Sequence, residues 1–283
     1  MKQVLIGAAA VLVGASAAVA QVPQSRHVVL VVEENHSFES VMAPNGMSYL
    51  KSLGDKYVVM TNYYANYHPS IGNYFVMTTG TAVSTDDHYS GTVSGETIVS
   101  QIAATGKKWK LYSDALPRAG YLGGNRRPYV KRHVAPAYFD SVRNDDKQGS
   151  NVVPVEQFAS DLQSADGLPD LSIVIPNLDH DAHDGTLQEA DQWLEKTVAP
   201  LLDDPKFKQD GMLIITFDES FKEDVEHGGG HIVTIVIGPK AKTHFNDTTF
   251  YQHQSLLATL EDALGVPRLG IVAQTPNFAN AFK

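Results

Sequence analysis

Five short β-branched runs, each bounded by turn residues, do most to restrict the fold: residues 27–32, 108–112, 171–175, 212–217 and 232–237. Most are apolar at successive positions rather than at alternate ones, as in strands covered on both faces. Between them, residues 97–104, 155–164, 189–202 and 251–264 carry apolar side chains three and four apart, the spacing of helices that pack one face. Gly265-Val266-Pro267 supplies a stop for the last helix. Strands alternating with helices predict an α/β fold with a mostly parallel central sheet and helices on both faces. Ligands of such sheets bind beyond the carboxyl ends of the strands, so the polar residues that follow each apolar run are the ones to read for chemistry.

Three of those ends are rich in carboxylates and imidazoles. Glu33, Glu34, Asn35 and His36 follow the first run, and Asp218 and Glu219 follow 212–217. The run 171–175 leads into a segment containing Asp179, His180, Asp181, His183 and Asp184. Charged side chains are costly to gather unless a cation or a proton compensates them. A divalent metal is the simplest compensation, and mixed oxygen and nitrogen donors suit zinc, manganese, iron or calcium. Taken singly, each piece has a plainer explanation. Glu33-Glu34 fits a solvated turn, Asp218-Glu219 a helix cap or exposed loop, and His180 with His183 an incidental pair. Their shared placement after successive core strands favours the site.

The formal net charge of -10 disfavours a nucleic-acid backbone or an anionic membrane as a standing partner. An anionic substrate would then need local positive charge, which a bound cation supplies. Cysteine is absent, which excludes a thiolate nucleophile, Cys-ligated zinc and disulfide bracing. Residues 1–20 combine Lys2, an apolar run and small residues ending in Ala18-Val19-Ala20, the layout of a cleaved secretory leader. That run is shorter than the roughly 20 residues a bilayer span needs. Residues 21–283 are expected to form one domain, exported to the periplasm or beyond, without stable membrane insertion. The region from about 118 to 150 lacks regular apolar spacing and is expected to be an irregular excursion near the active face.

Ser70 is the candidate nucleophile. Pro69 presets the backbone for a first helical position, which places Ser70 at the amino end of a helix running through Met77. A helix start offers free amide donors and the positive end of the dipole, favourable to phosphate and to an alkoxide. The plainer alternative is a simple cap. The segment lacks G-x-S-x-G, so an ordinary serine-hydrolase elbow is excluded. Gly228-Gly229-Gly230 permits close backbone approach beside His231, at the entrance to 232–237. His227 and His231 have the spacing of helical zinc ligands, but three glycines between them argue against a helix.

Together, Glu34-Asn35-His36-Ser37-Phe38, His68-Pro69-Ser70-Ile71-Gly72-Asn73-Tyr74, Asp181-Ala182-His183-Asp184-Gly185 and Thr216-Phe217-Asp218-Glu219 with the Gly-Gly-Gly-His231 segment resemble the phosphoesterases that group bacterial and fungal acid phosphatases with phospholipases C. Residues 251–265 resemble that family's closing helix, and the likeness covers most of 27–267. The resemblance implies an alkaline-phosphatase-like fold in which Glu34, Asn35, Ser70, Asp218 and Glu219 hold a metal that activates Ser70. It further implies that Asp181, His183 and His231 face the other side of the phosphoryl group, and that Asn73 donates to a phosphate oxygen. Asp181 is the family-pattern ligand there, with Asp179 in reserve. One departure is Glu219, a position often occupied by aspartate in such enzymes.

The expected reaction is a double displacement through a phosphoseryl intermediate, catalysed by positioning and electrostatics. Phosphate monoesters are the first substrate expectation, because the chain is compact and shows no lipid-binding module. A phospholipase C-type diesterase acting on a phospholipid head group is the alternative. A non-catalytic exported phosphate- or metal-binding protein is a reading of another class.

Overall fold

The computed structural model describes residues 21–283, so the leader assigned to residues 1–20 lies outside the described residues. A single eight-stranded sheet organises the chain: β1 (His27–Glu33), β2 (Val58–Met60), β3 (Trp109–Ser113), β4 (Val152–Pro154), β5 (Leu171–Ile175), β6 (Gly211–Phe217), β7 (Thr234–Ile237) and β8 (Phe245–Asp247). Their spatial order is β4-β3-β5-β1-β6-β7-β2-β8. β1 lies at the centre, parallel to both β5 and β6, with Val28 opposite Leu171 on one side and Met212 on the other. Every residue of β1 and β6 is buried, so both faces of the sheet centre are covered, as their unbroken apolar character requires.

The mostly parallel expectation holds with one reversal: β7 runs antiparallel to β6 and to β2. The 218–233 connection contains only one 3₁₀ turn, Glu226–Gly228, and no crossover helix. A chain returning without a crossover must pair antiparallel. The expected strand 232–237 shortens to β7, because Ile232 gives its N–H to the carbonyl of Tyr63, outside the ladder.

Helices form close to the predicted spans. Ile98–Ala104 starts on a Thr97–Ser100 capping box, and Leu187–Asp203 starts on Thr186–Glu189. Helix Ser70–Thr79 is almost wholly buried and packs on the closing helix His253–Leu264. Helix Ser48–Lys56 has no cap from its own flank. The Asp191 carboxylate caps it instead, accepting from Ser48 Oγ (3.1 Å), Tyr49 N (2.7 Å) and Leu50 N (3.0 Å). No helix among the described residues is long and apolar enough to cross a membrane.

Near the end of the closing helix, Glu261 is fully buried, and its Oε1 accepts the Leu269 N–H at 3.0 Å. Its Oε2 has no hydrogen-bond partner. Burial raises its pKa to about 7, against the opposing pull of that bond and of Arg268. A carboxyl raised in the folded state contributes stability that is complete below its unfolded value of 4.5 and is lost as pH climbs through the folded one. Between about pH 5 and about pH 7.5, the melting temperature of the wild type is therefore expected to fall relative to Glu261→Gln by about 2–4 °C. Parallel thermal-melt profiles for the two proteins would contradict this.

Candidate active site

The centre of the sheet brings three strand ends together. Glu33 is in register with Phe217, so Glu34 and Asp218 leave β1 and β6 side by side. The Asp218 N–H then donates to the Glu33 carbonyl (2.9 Å), and the Glu34 N–H donates to the Asp181 carbonyl (3.0 Å). That second bond ties the turn after β5 to the end of β1. His253 braces the same edge from below. Its Nε2 donates to the Asp218 carbonyl at 2.7 Å, while its Nδ1 accepts from Tyr63 Oη at 3.1 Å. Burial holds the His253 pKa down at about 4, so the ring acts as a neutral strut.

Ser70 is the first residue of its helix and only 2 % exposed. Its Oγ donates to Glu34 Oε1 at 2.7 Å and lies 3.3 Å from Glu219 Oε1. Glu219 Oε2 in turn meets His68 Nδ1 at 3.0 Å, and His68 Nε2 donates to the Asp224 carbonyl at 2.9 Å. The longer side chain at position 219 thus spans from the serine to His68. Asp181 is buried, accepts the His183 N–H on Oδ1 (2.9 Å), and places Oδ2 3.6 Å from His133 Nδ1. His183 Nε2 is 3.8 Å from Glu34 Oε2, and its Nδ1 pairs with Asp184 at 2.7 Å. Asp179, the reserve ligand, is exposed at the surface of the turn.

Two residues absent from the sequence-derived set stand at the centre. His133 Nε2 is 2.9 Å from Glu34 Oε1, and its ring stacks on Tyr74 with centroids 4.8 Å apart. Arg132 lies 3.7 Å from the same Glu34 oxygen and 3.3 Å from Asp87. Both come from the 3₁₀ turn Lys131–His133 within the 118–150 excursion, which folds onto the active face. Their only sequence signal was a basic pair with an imidazole between Val130 and Val134.

Other expected members are turned elsewhere. The His231 ring is held between Phe38 and Tyr64, with Nδ1 on Glu39 (3.0 Å) and Nε2 on the Thr61 carbonyl (3.1 Å). Both of its nitrogens are committed away from Ser70. Asn73 faces the same side of the helix as Ser70, but its amide closes the preceding loop. It accepts from the N–H groups of Asn66 and Tyr67 at 3.1 Å each and donates to the Tyr67 carbonyl at 2.8 Å. Asn35 turns the chain after Glu34 through a left-handed backbone (φ 63°). Glu33, which alternates with Glu34 along the strand, is fully buried, with burial and then the charge of Asp191 raising its pKa.

Burial opposes ionisation throughout. It raises the pKa of Asp181 and of Asp218, with the Glu34 charge adding to both, and raises that of Glu219 against the hydrogen bond from His68. Glu34 alone is lowered: burial works against its charge, but His133, His183 and Arg132 outweigh it. His68 moves up, mainly through its bond to Glu219, and burial moves His133 down.

The donor set fits a divalent cation. Glu34 Oε2, Asp181 Oδ2, Asp218 Oδ2 and both ring nitrogens of His133 are buried without hydrogen-bond geometry to any partner. Ligand atoms of Glu34, His133 and Asp218 lie within 4.8 Å of one another. Buried polar atoms left so cost about 1–3 kcal/mol each, more when charged, and a shared positive ion removes that cost.

This sheet, with its acidic site at the carboxyl edge, has an α/β fold like that of solved alkaline-phosphatase-superfamily proteins. A superfamily protein from Vibrio parahaemolyticus superposes with a TM-score of 0.60 at 14% identity, covering 86% of this chain and 67% of that one. The lipoteichoic acid synthase LtaP of Listeria monocytogenes gives 0.63 at 9%, covering 92% and 76%. Residues 41–267 match the model of the Phosphoesterase family, and the chain belongs to that family. A probable acid phosphatase of Kluyveromyces lactis is 30% identical over 273 residues, 89% of this chain and 63% of that protein. The phosphate-repressible acid phosphatase of Penicillium chrysogenum is 30% identical over 248 residues, 84% and 58% respectively. A phosphatidylinositol-3-phosphatase of Mycobacterium tuberculosis is 28% identical over 262 residues, 92% and 83%. The chain therefore spans somewhat under two thirds of the length of these fungal relatives.

Proposed function

We propose that the chain is an exported, metal-dependent hydrolase of phosphate monoesters with Ser70 as its nucleophile, carried by one domain over residues 21–283. The observation that carries this reading is the Ser70 hydroxyl at a buried helix tip, 2.7 Å from Glu34 inside a cluster of partnerless carboxylate oxygens. The names of the relatives support the monoester preference, and the leader pattern supports export.

Glu34, Asn35, Asp218 and Glu219 with Ser70 are the residues assigned to hold the cation, and the geometry adds His133 as a further donor. Bound there, a divalent ion supplies Lewis-acid stabilisation of an alkoxide and of phosphoryl charge. Ser70 Oγ forms the bond to phosphorus as the ester oxygen–phosphorus bond breaks, and its proton has Glu34 Oε1 within reach. Arg132, 11 % exposed at its side chain, brings a permanent positive charge to the phosphoryl oxygens. Asp181 orients His183 through the backbone, which leaves that imidazole at the open side to serve the departing oxygen and the water of the second step. Water then breaks the phosphorus–Oγ bond, and the proton returns to Ser70.

Phosphate release from an aryl phosphate monoester, compared with diacylglycerol release from phosphatidylcholine, tests the substrate class. The monoester is expected to be turned over faster by at least about tenfold in kcat/KM. Faster release of diacylglycerol would replace this reading with a phospholipase C-type diesterase.

A further inference from the structure

A second cleft opens at the opposite edge of the sheet, where the amino ends of β1, β3 and β5 emerge, and it takes no part in the chemistry above. Its volume is about 840 Å³, within the range of small-molecule sites. The seven residues of β1 separate the two edges, a span of about 20 Å at the usual strand rise.

In a chain of net charge -10, this cleft is lined by five cations, Arg26, Lys107, Lys108, Lys110 and Lys147, against three carboxylates. Two of those carboxylates are committed. Asp161 pairs with Lys110 at 2.6 Å, and Asp170 lies 3.7 Å from Lys107 and accepts the Lys108 backbone N–H at 2.8 Å. Among the described residues Arg26, Lys108 and Lys147 have no ion-pair partner, and only Asp166 remains to balance them. Their charges come from three separate segments of chain over a fixed floor. Trp109, 2 % exposed, donates from Nε1 to Gln148 at 2.8 Å. Lys206 Nζ pins the far wall by donating to the carbonyls of Ser164 (2.7 Å) and Ala165 (2.9 Å).

From this placement we infer that the cleft is a binding site for an oligophosphate, remote from the reaction centre. Cations carried by separate chain segments surround the cleft, and a short phosphate chain, which carries several charges in a body that fits the volume, matches that spread of charge better than a single phosphate group. Compact ammonium groups suit such a dense anion as point charges. The site is independent of the activity proposed for Ser70.

Tryptophan fluorescence tests it directly. The chain has two tryptophans, and Trp193 stacks near His180 at the other edge, so Trp193→Phe leaves Trp109 as the reporter. Inorganic tripolyphosphate is expected to change that fluorescence saturably. Inorganic phosphate should bind at least about tenfold more weakly, and added salt should weaken both. Reversing Lys108→Glu and Lys147→Glu together should raise the Kd for tripolyphosphate at least about tenfold, without changing hydrolysis of the aryl phosphate. Adenosine triphosphate forms a parallel arm, in which tighter binding than tripolyphosphate identifies a nucleotide as the source of the phosphate chain. Absence of a saturable change, or an affinity unmoved by the charge reversal, overturns the inference. Should the double reversal unfold the chain by circular dichroism, Lys108→Ser with Lys147→Ser takes its place. An affinity within about twofold of the parent would then be decisive against the site.

Discussion

Ser70→Ala is expected to lower kcat/KM for an aryl phosphate by at least about a thousandfold while leaving the fold intact. In the proposed reaction the hydroxyl is the group that forms the covalent bond, and no other nucleophilic side chain stands at the helix tip to replace it. Removing it deletes one hydrogen bond to Glu34 and leaves the helix packing on His253–Leu264 unchanged. Far-ultraviolet circular dichroism should therefore match the parent. Turnover within tenfold of the wild type would remove Ser70 from the reaction. A well-folded wild type that binds phosphate without turning over any ester would favour a binding protein instead.

Stripping divalent ions should have an effect of similar size. Dialysis against a chelator is expected to abolish phosphate release, and adding back one of zinc, manganese, iron or calcium should restore it. Stability should fall as well, because an ion held only by the folded state adds about 2.7 kcal/mol at a hundredfold excess over its Kd. Elemental analysis before and after dialysis identifies the ion, and the melting temperature reports its loss apart from activity. Full activity and an unshifted melt after exhaustive chelation would overturn the metal assignment.

The site was legible in the sequence where the strand-end rule applied. Glu34, Asp218 and Glu219 stand within two residues of an apolar run, so the sheet itself delivers them to one edge, while Asp181 reaches it from the turn after 171–175, tied there by the Glu34 N–H. Ser70 was legible because Pro69 sets a helix start. His133 and Arg132 were not, since their approach depends on how the 118–150 excursion packs, with the His133 ring laid on Tyr74. His231 misled through its neighbours, because a glycine run beside a strand suggests ligand approach, yet an aromatic pair captures the ring. Asn73 has the right helical spacing, but the amides of the loop before Pro69 had the prior claim on it. In the fold, β2, β4 and β8 are three residues each, too short to show a period. The cap on helix Ser48–Lys56 comes from Asp191, far along the chain, which no local reading detects.

β1 is made first and sits in the middle, yet both strands that flank it are encoded in the second half of the chain. Until residues 171–217 exist, this apolar strand has two bare edges and nothing to zip against. Assembly must therefore wait for distant parts, which makes it slow and leaves a sticky ribbon exposed in any unfinished chain. If the chain is exported as proposed, that delay is useful: the keystone cannot lock until nearly the whole arch has passed the translocation channel.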